Sequence, residues 1–212
     1  MKNILLTIML MLGLSAQAQT LRDFFVEKPD SLMPLLTAVN RADFGDFLDS
    51  KMKAVVKNRF DSHSEMKKMT EDYLYLEMTK VSSVEMKMLP LSDSINVICV
   101  VKTFSSPAQD SQVLFYDTQW NQLKTDDFIE LPREAEYFIE PVTQEGIDSL
   151  QNLRRTAGMF LQKASLDEKK NAISLGYTSI DYMDEKSAKE LKPFLQTTLI
   201  HYEWADGRFR RK

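Results

Sequence analysis

Apolar and polar side chains alternate with a period of two residues through the middle of this chain. The clearest run is Val84, Glu85, Met86, Lys87, Met88. Successive side chains of a strand point to opposite faces, so this pattern predicts a strand with Val84, Met86 and Met88 on one face and Glu85 and Lys87 on the other. Residues 73–78 alternate in the same way, and the β-branched run 95–101 favours a buried strand.

Helical patterns lie before and after these strands. An N-cap at Asp30 and the apolar residues that follow predict a first helix over 30–39, and a second is predicted over 41–51. A longer helix is predicted over 143–154 and a short one over 184–192. Because no regular strand–helix–strand order is present, we expect an α+β fold in which antiparallel sheet is covered by short helices.

The order of elements suggests two similar halves. Further strands are predicted at 55–60, 112–116, 159–165, 172–178 and 198–204, the last followed by the hairpin signal Ala205-Asp206-Gly207. The chain divides into a leader over 1–18, an N-terminal half over 19–141 and a C-terminal half over 142–212. A proline-flanked seam separates the two halves, which we expect to pack as one globular unit. Two degenerate copies of one unit would produce this order.

The leader has the three parts of a secretory signal peptide. Lys2 supplies the positive start, residues 4–14 form an apolar run, and Ala16-Gln17-Ala18 is a small-x-small cleavage site. The run is shorter than the roughly 20 residues that span a bilayer. We therefore expect an exported chain that begins near Gln19, has no transmembrane segment, and lies in the periplasm or at the cell surface.

Charge and composition exclude several classes of partner and chemistry. The chain carries a net charge of −4, which argues against nucleic acid, since phosphate binding needs a concentrated positive face. One basic cluster, Arg208, Arg210, Arg211 and Lys212, is interpreted as a frayed, solvated tail. The sequence has no Gly-rich phosphate loop and no serine or zinc hydrolase motif, so we predict no catalytic residue, metal site or cofactor. The lone Cys99 lies in the predicted buried strand and is expected to be an unreactive core residue.

The aromatic residues are the most distinctive candidates for binding. Tyr116 and Trp120 end a strand of the first half, and Tyr202 and Trp204 end the corresponding strand of the second. If the halves bring these ends together, the four rings would form a platform for a flat ligand or a partner's side chains. The alternative is that helices cover the rings, which then only close the core.

Several stretches resemble one family over essentially the whole exported chain. They are residues 29–36, 40–43, 46–49, 70–74, 112–120 and 191–195. In these stretches the chain resembles a family of small exported proteins of unknown function restricted to Bacteroides-type bacteria. The resemblance implies export, and it brings no catalytic or binding residue with it.

The function predicted from the sequence is therefore a coarse one. We expect a non-enzymatic interaction or ligand-binding module of the periplasm or cell surface, whose partner is an unknown protein or small ligand. The alternatives are a periplasmic hydrolase that uses scattered carboxylates or His201, and a structural envelope protein. A cleft that joins His201 to an acid and a hydroxyl would favour the hydrolase, whereas an exposed apolar groove would favour the binding module.

Overall fold

The computed structural model describes residues 19–196 and 199–212, so the predicted leader lies outside the described residues. The helices in this part are α1 (Leu21–Glu27), α2 (Ala38–Asp49), α3 (Gln144–Ala157) and α4 (Glu185–Leu191). The strands are β1 (Val55–Lys57), β2 (His63–Met69), β3 (Tyr73–Thr79), β4 (Ser82–Ser92), β5 (Ile95–Ser105), β6 (Gln109–Tyr116), β7 (Gln122–Leu123), β8 (Gln162–Leu166), β9 (Ala172–Tyr177), β10 (Ile200–Ala205) and β11 (Arg208–Arg211). None of these helices is long and apolar enough to cross a membrane.

The strands form two antiparallel sheets. β1 to β7 lie side by side in chain order, and β8 to β11 form a second sheet in the order β11-β10-β9-β8. The α+β class with antiparallel sheets and short helices is confirmed. The two sheets differ in strand number, and the duplication and the seam at 141 stay interpretations.

The seven-stranded sheet is the middle layer of the molecule. One face packs against α1 and α2 through Leu74, Leu76, Met86, Ile98, Val100 and Leu114. The other face packs against the second sheet through Val97, Cys99, Val101, Val113 and Phe115. Burial of both faces explains why the sequence 97–101 is continuously apolar rather than alternating. Cys99 is fully buried, as predicted, and burial raises the pKa of its thiol.

The start of the chain differs from the prediction. The helix predicted over 30–39 is wrong, since Asp30–Leu32 makes only a short 3-10 turn. Pro34 would fall inside that helix, where it lacks the N–H for a helical hydrogen bond. The first helix is instead α1, which the sequence analysis missed and which begins with a capping box between Thr20 and Asp23.

A buried guanidinium group ties this opening segment together. The side chain of Arg41 on α2 is 2% exposed and donates hydrogen bonds to the carbonyl oxygens of Val26, Lys28 and Leu36. It also pairs with the Asp30 carboxylate, at 3.0 Å. The Asp30 side chain therefore receives hydrogen bonds from an arginine rather than capping a helix.

The polar face of β4 is buried. Glu85 and Lys87 are only 7% and 1% exposed, because the second sheet covers this face of the first. Lys87 Nζ donates to the carbonyl oxygen of Glu168 and forms an ion pair with Asp72, both at 2.9 Å. Buried charges of this kind need such partners, since desolvation costs several kcal/mol.

Glu85 makes the more direct link between the sheets. Its carboxylate accepts hydrogen bonds from the backbone N–H of Leu166 at 2.8 Å and from the Ser165 hydroxyl at 3.2 Å, both on β8. Burial raises the pKa of Glu85, against the lowering effect of these hydrogen bonds. β8 is an edge strand, so its outward N–H groups need acceptors from elsewhere, and β4 supplies one. We call Glu85, Lys87 and these partners the sheet junction.

Candidate functional site

The four candidate aromatic residues do not form one platform. Tyr116 and Trp120 lie in the core between the seven-stranded sheet and the N-terminal helices, with ring centroids 5.5 Å apart. Tyr202 and Trp204 belong to the core on the opposite face of that sheet. Side chains alternate along β6, so Tyr116 points to one core while its neighbour Phe115 points to the other. The sheet itself separates the two pairs.

The first pair encloses a buried amine that the sequence analysis missed. Lys28 is 1% exposed, and its Nζ lies 3.5 Å from the ring centroid of Trp120 and 4.7 Å from that of Tyr116. This Nζ has no hydrogen-bond partner among the described residues. Burial, and then the positive charges of Lys102 and Arg41, lower the pKa of Lys28 to about 7. No sequence signal marks Lys28, because its burial depends on strands about 90 residues away.

Trp204 of the second pair is packed but not fully buried. Its ring stacks with those of Phe115 and Phe128, at centroid distances of 6.4 and 6.2 Å. Its indole N–H donates to the carbonyl oxygen of Pro90 at 2.8 Å. These contacts fix the β10–β11 hairpin against the seven-stranded sheet. The predicted binding role of the four rings stays a prediction, but three of them are buried.

Tyr202 is buried, and it contributes to the lining of a cavity. A cavity of about 470 Å³ lies between β11 and the chain at 130–136. We call it the hairpin groove, and its lining is Glu130, Leu131, Glu136, Tyr202, Arg208, Phe209, Arg210 and Arg211. Tyr202 donates a hydrogen bond from its hydroxyl to the carbonyl oxygen of Glu130, at 3.0 Å. Burial raises the pKa of this hydroxyl, which therefore stays a neutral donor.

The groove is positively charged on one wall. Arg211 pairs with Glu136 at 2.6 Å, and Arg210 with Asp206 at 3.3 Å, whereas half-buried Arg208 has no ion pair among the described residues. Burial would raise the pKa of Glu136, but hydrogen bonds from Arg133 and the charge of Arg211 outweigh burial and lower it. Glu136 therefore remains ionised and forms the ion pair with Arg211. Arg208 has no such pair among the described residues, and its guanidinium group can bind a ligand.

The interpretation of this basic cluster as a frayed tail is wrong. Arg208–Arg211 form β11, which pairs with β10 through the turn Asp206-Gly207. Both turn residues have positive φ, 51° and 74°, as a two-residue hairpin requires. The hairpin signal was read correctly from the sequence. The same signal places Arg208 and Arg210 on one face of an ordered strand, and it could have marked them as site residues.

His201 lies near a hydroxyl group and a carboxylate, as a hydrolase would need, but the described residues show no hydrogen bonds that join them. Its cross-strand partner is Ser174, and both line a cleft of about 460 Å³ together with Glu203. Among the residues that the structure covers, no hydrogen bond joins the imidazole to Ser174 or to Glu203, and Glu203 is paired with Lys212. A nucleophile, a base and an orienting acid act as a hydrogen-bonded chain, which this arrangement lacks. Nor do His, Cys, Asp and Glu side chains form a metal-binding group of three within the described ranges.

These features define an α+β protein built from two antiparallel sheets, with a basic groove along an edge hairpin. Its residues 13–209 match the family described as "Protein of unknown function (DUF3256)", and the chain belongs to that family. A domain of an uncharacterized protein from Porphyromonas gingivalis W83 has a similar solved structure, with a TM-score of 0.79 and 28% sequence identity. The similarity covers 91% of this chain and 98% of that one. No curated protein matches the chain.

The buried amine gives a prediction about stability. The pKa of Lys28 is lower in the folded chain than its ordinary value of 10.5, so the unfolded state binds the proton more tightly. Stability should therefore rise as the pH increases from about 7 towards 10.5. Lys28→Met should raise the free energy of unfolding at pH 7 by about 2–4 kcal/mol, since one pKa unit is worth about 1.4 kcal/mol and lost cation–π contacts offset part of the gain.

Urea denaturation at several pH values measures both effects. Lys80→Met is the matched control, because Lys80 is exposed and its replacement should leave the pH dependence unchanged. A Lys28→Met protein that is less stable than wild type, or that keeps the rise in stability with pH, would contradict this account of the amine.

Proposed function

We propose that this chain is an exported, non-enzymatic binding module whose hairpin groove receives an anionic group of a ligand or partner. The observation that carries the proposal is the half-buried Arg208, which lines the groove without an ion pair among the described residues. A guanidinium group presents several N–H donors in a fixed plane and matches carboxylate and phosphate oxygens. Its partial burial reduces solvent screening and strengthens such a contact.

The neighbouring groups support binding rather than catalysis. Tyr202 and Phe209 give the groove an apolar floor, and Glu136 holds Arg211 in a fixed position at 2.6 Å. Apolar walls with a few placed polar groups are usual in ligand sites. The hydrolase alternative has less support, because no hydrogen-bonded chain joins His201 to Ser174 and an acid in the described part.

Export is the second component of the proposal. It is supported by the charged start at Lys2, the apolar run at 4–14 and the small-x-small sequence Ala16-Gln17-Ala18. The resemblance to exported proteins of Bacteroides-type bacteria agrees with it. The periplasm and the cell surface are both open as the final location.

Anion binding is tested by titrating inorganic phosphate into the protein at low ionic strength. The side-chain Nε–H resonance of Arg208 should shift on binding in nitrogen–proton NMR spectra. Arg208→Gln should weaken phosphate binding about tenfold, since a hydrogen bond to a charged group contributes about 1.5–3 kcal/mol. Arg155→Gln on α3 removes the same charge from an exposed position outside the groove and is the matched control. Equal weakening by the two variants would show a general charge effect and refute the site.

Export is tested by sequencing the amino terminus of the protein recovered from fractionated host cells. We expect a chain that starts at or near Gln19 in the envelope or extracellular fraction. Intact Met1 in the soluble cytoplasmic fraction would contradict export.

A further inference from the structure

β11 is an edge strand whose outward hydrogen-bonding groups can be assigned from its register. Ala205 pairs with Arg208 across the two-residue turn, so the N–H groups of Arg208 and Arg210 face β10. The next bond in this series is seen directly, since Lys212 N–H donates to the carbonyl oxygen of His201 at 3.0 Å. The N–H groups of Phe209 and Arg211 therefore point away from the sheet.

Another part of the chain occupies only the first half of this edge. Phe209 N–H donates to the carbonyl oxygen of Phe128 at 2.7 Å, as it would to a neighbouring strand. The chain then turns away, and the carbonyl oxygen of Glu130 accepts from the Tyr202 hydroxyl instead. Arg211 N–H has no acceptor among the described residues, and the hairpin groove lies beside it. The second half of the edge is therefore open.

The charge and length of the groove restrict what can occupy this edge. Three arginines line it against Glu130 and Glu136, and one of those two acids is already paired. Charged side chains on an edge discourage pairing with like-charged or apolar strands. An acidic segment has the charge that complements these arginines. The open half of the edge, Arg210 and Arg211, extends over about 7 Å, the length of two residues of an extended peptide at about 3.3 Å each.

We propose that the hairpin groove binds an extended, acidic peptide segment of a partner protein, which pairs as a short strand with the open second half of the outer edge of β11. The peptide backbone pairs with Arg211 N–H, and one of its carboxylates meets Arg208. Strand addition of this kind takes affinity from main-chain hydrogen bonds and specificity from the side chains beside them. This inference rests on the proposed function and goes beyond it by naming the class of partner.

The test compares three blocked peptides in calorimetric titrations with the full chain. They are acetyl-Val-Asp-Val-Asp-Val-amide, the same peptide with Asn for Asp, and the acidic peptide methylated on its backbone nitrogens. We expect the acidic peptide to bind at least about tenfold more tightly than either of the others. It should also slow hydrogen exchange of the Arg211 amide. Equal binding by the methylated or the Asn peptide, or an unchanged Arg211 amide, would overturn strand addition.

Two variants of one residue separate the backbone from the side chain. Arg211→Pro removes the outward N–H at a position where an edge strand tolerates proline, and Arg211→Ala removes the side chain alone. We expect the proline variant to bind the acidic peptide at least about fivefold more weakly than the alanine variant, while both bind phosphate equally. Equal peptide binding by the two variants would refute the inference. If the proline variant does not fold, the methylated peptide decides instead, and its binding as tightly as the acidic peptide would refute the inference.

Phosphate serves as the reference that separates the two proposals. If phosphate binds through Arg208 and the acidic peptide does not bind, the peptide inference fails and the anion site stands. If neither binds, both proposals fail.

Discussion

The buried carboxylate of Glu85 holds the two sheets of this protein together. It accepts the N–H of Leu166 and the hydroxyl of Ser165, so an edge strand that would otherwise end in unpaired donors is completed by a side chain of the other sheet. Lys87, two residues along the same strand, makes a second polar contact, in which its Nζ donates a hydrogen bond to the carbonyl oxygen of Glu168. Without these groups, the position of β8 on the larger sheet would depend on apolar packing, which has little directionality, and on a longer hydrogen bond from Gln162 N–H to Asp110 at 3.3 Å.

The four-stranded sheet connects this junction to the hairpin groove. β8 anchors the four-stranded sheet at one edge, and β11 is its opposite edge, which Trp204 and Phe209 fasten separately through hydrogen bonds to Pro90 and Phe128. Burying ionisable groups costs desolvation energy, and an apolar pair of the same size would in many cases be as stable. What Glu85 adds is a defined position of β8 on the seven-stranded sheet, since its hydrogen bonds join particular atoms of the two sheets.

Local patterns predicted much of the fold, and long-range burial explains most of what they missed. The strand around Cys99, the caps of α3 and α4 at Thr143 and Asp184, and the Asp206-Gly207 turn are all set by neighbouring residues. Alternation at 84–88 correctly placed Glu85 opposite Val84. It could not show that a strand about 80 residues later covers Glu85. The separation of the two aromatic pairs by the sheet could not be predicted either, because it too depends on contacts between residues far apart in the sequence.

Hydrogen exchange at the Leu166 amide is the most direct test of the sheet junction. In Glu85→Ala this amide should exchange at least about tenfold faster than in wild type, since it loses a hydrogen bond to a charged group, while amides of β5 keep their protection. Glu85→Gln retains an acceptor oxygen and should retain most of the protection, and the partly exposed Glu77→Ala on β3 serves as a control. Unchanged protection of Leu166 in Glu85→Ala would contradict the central role given to this carboxylate.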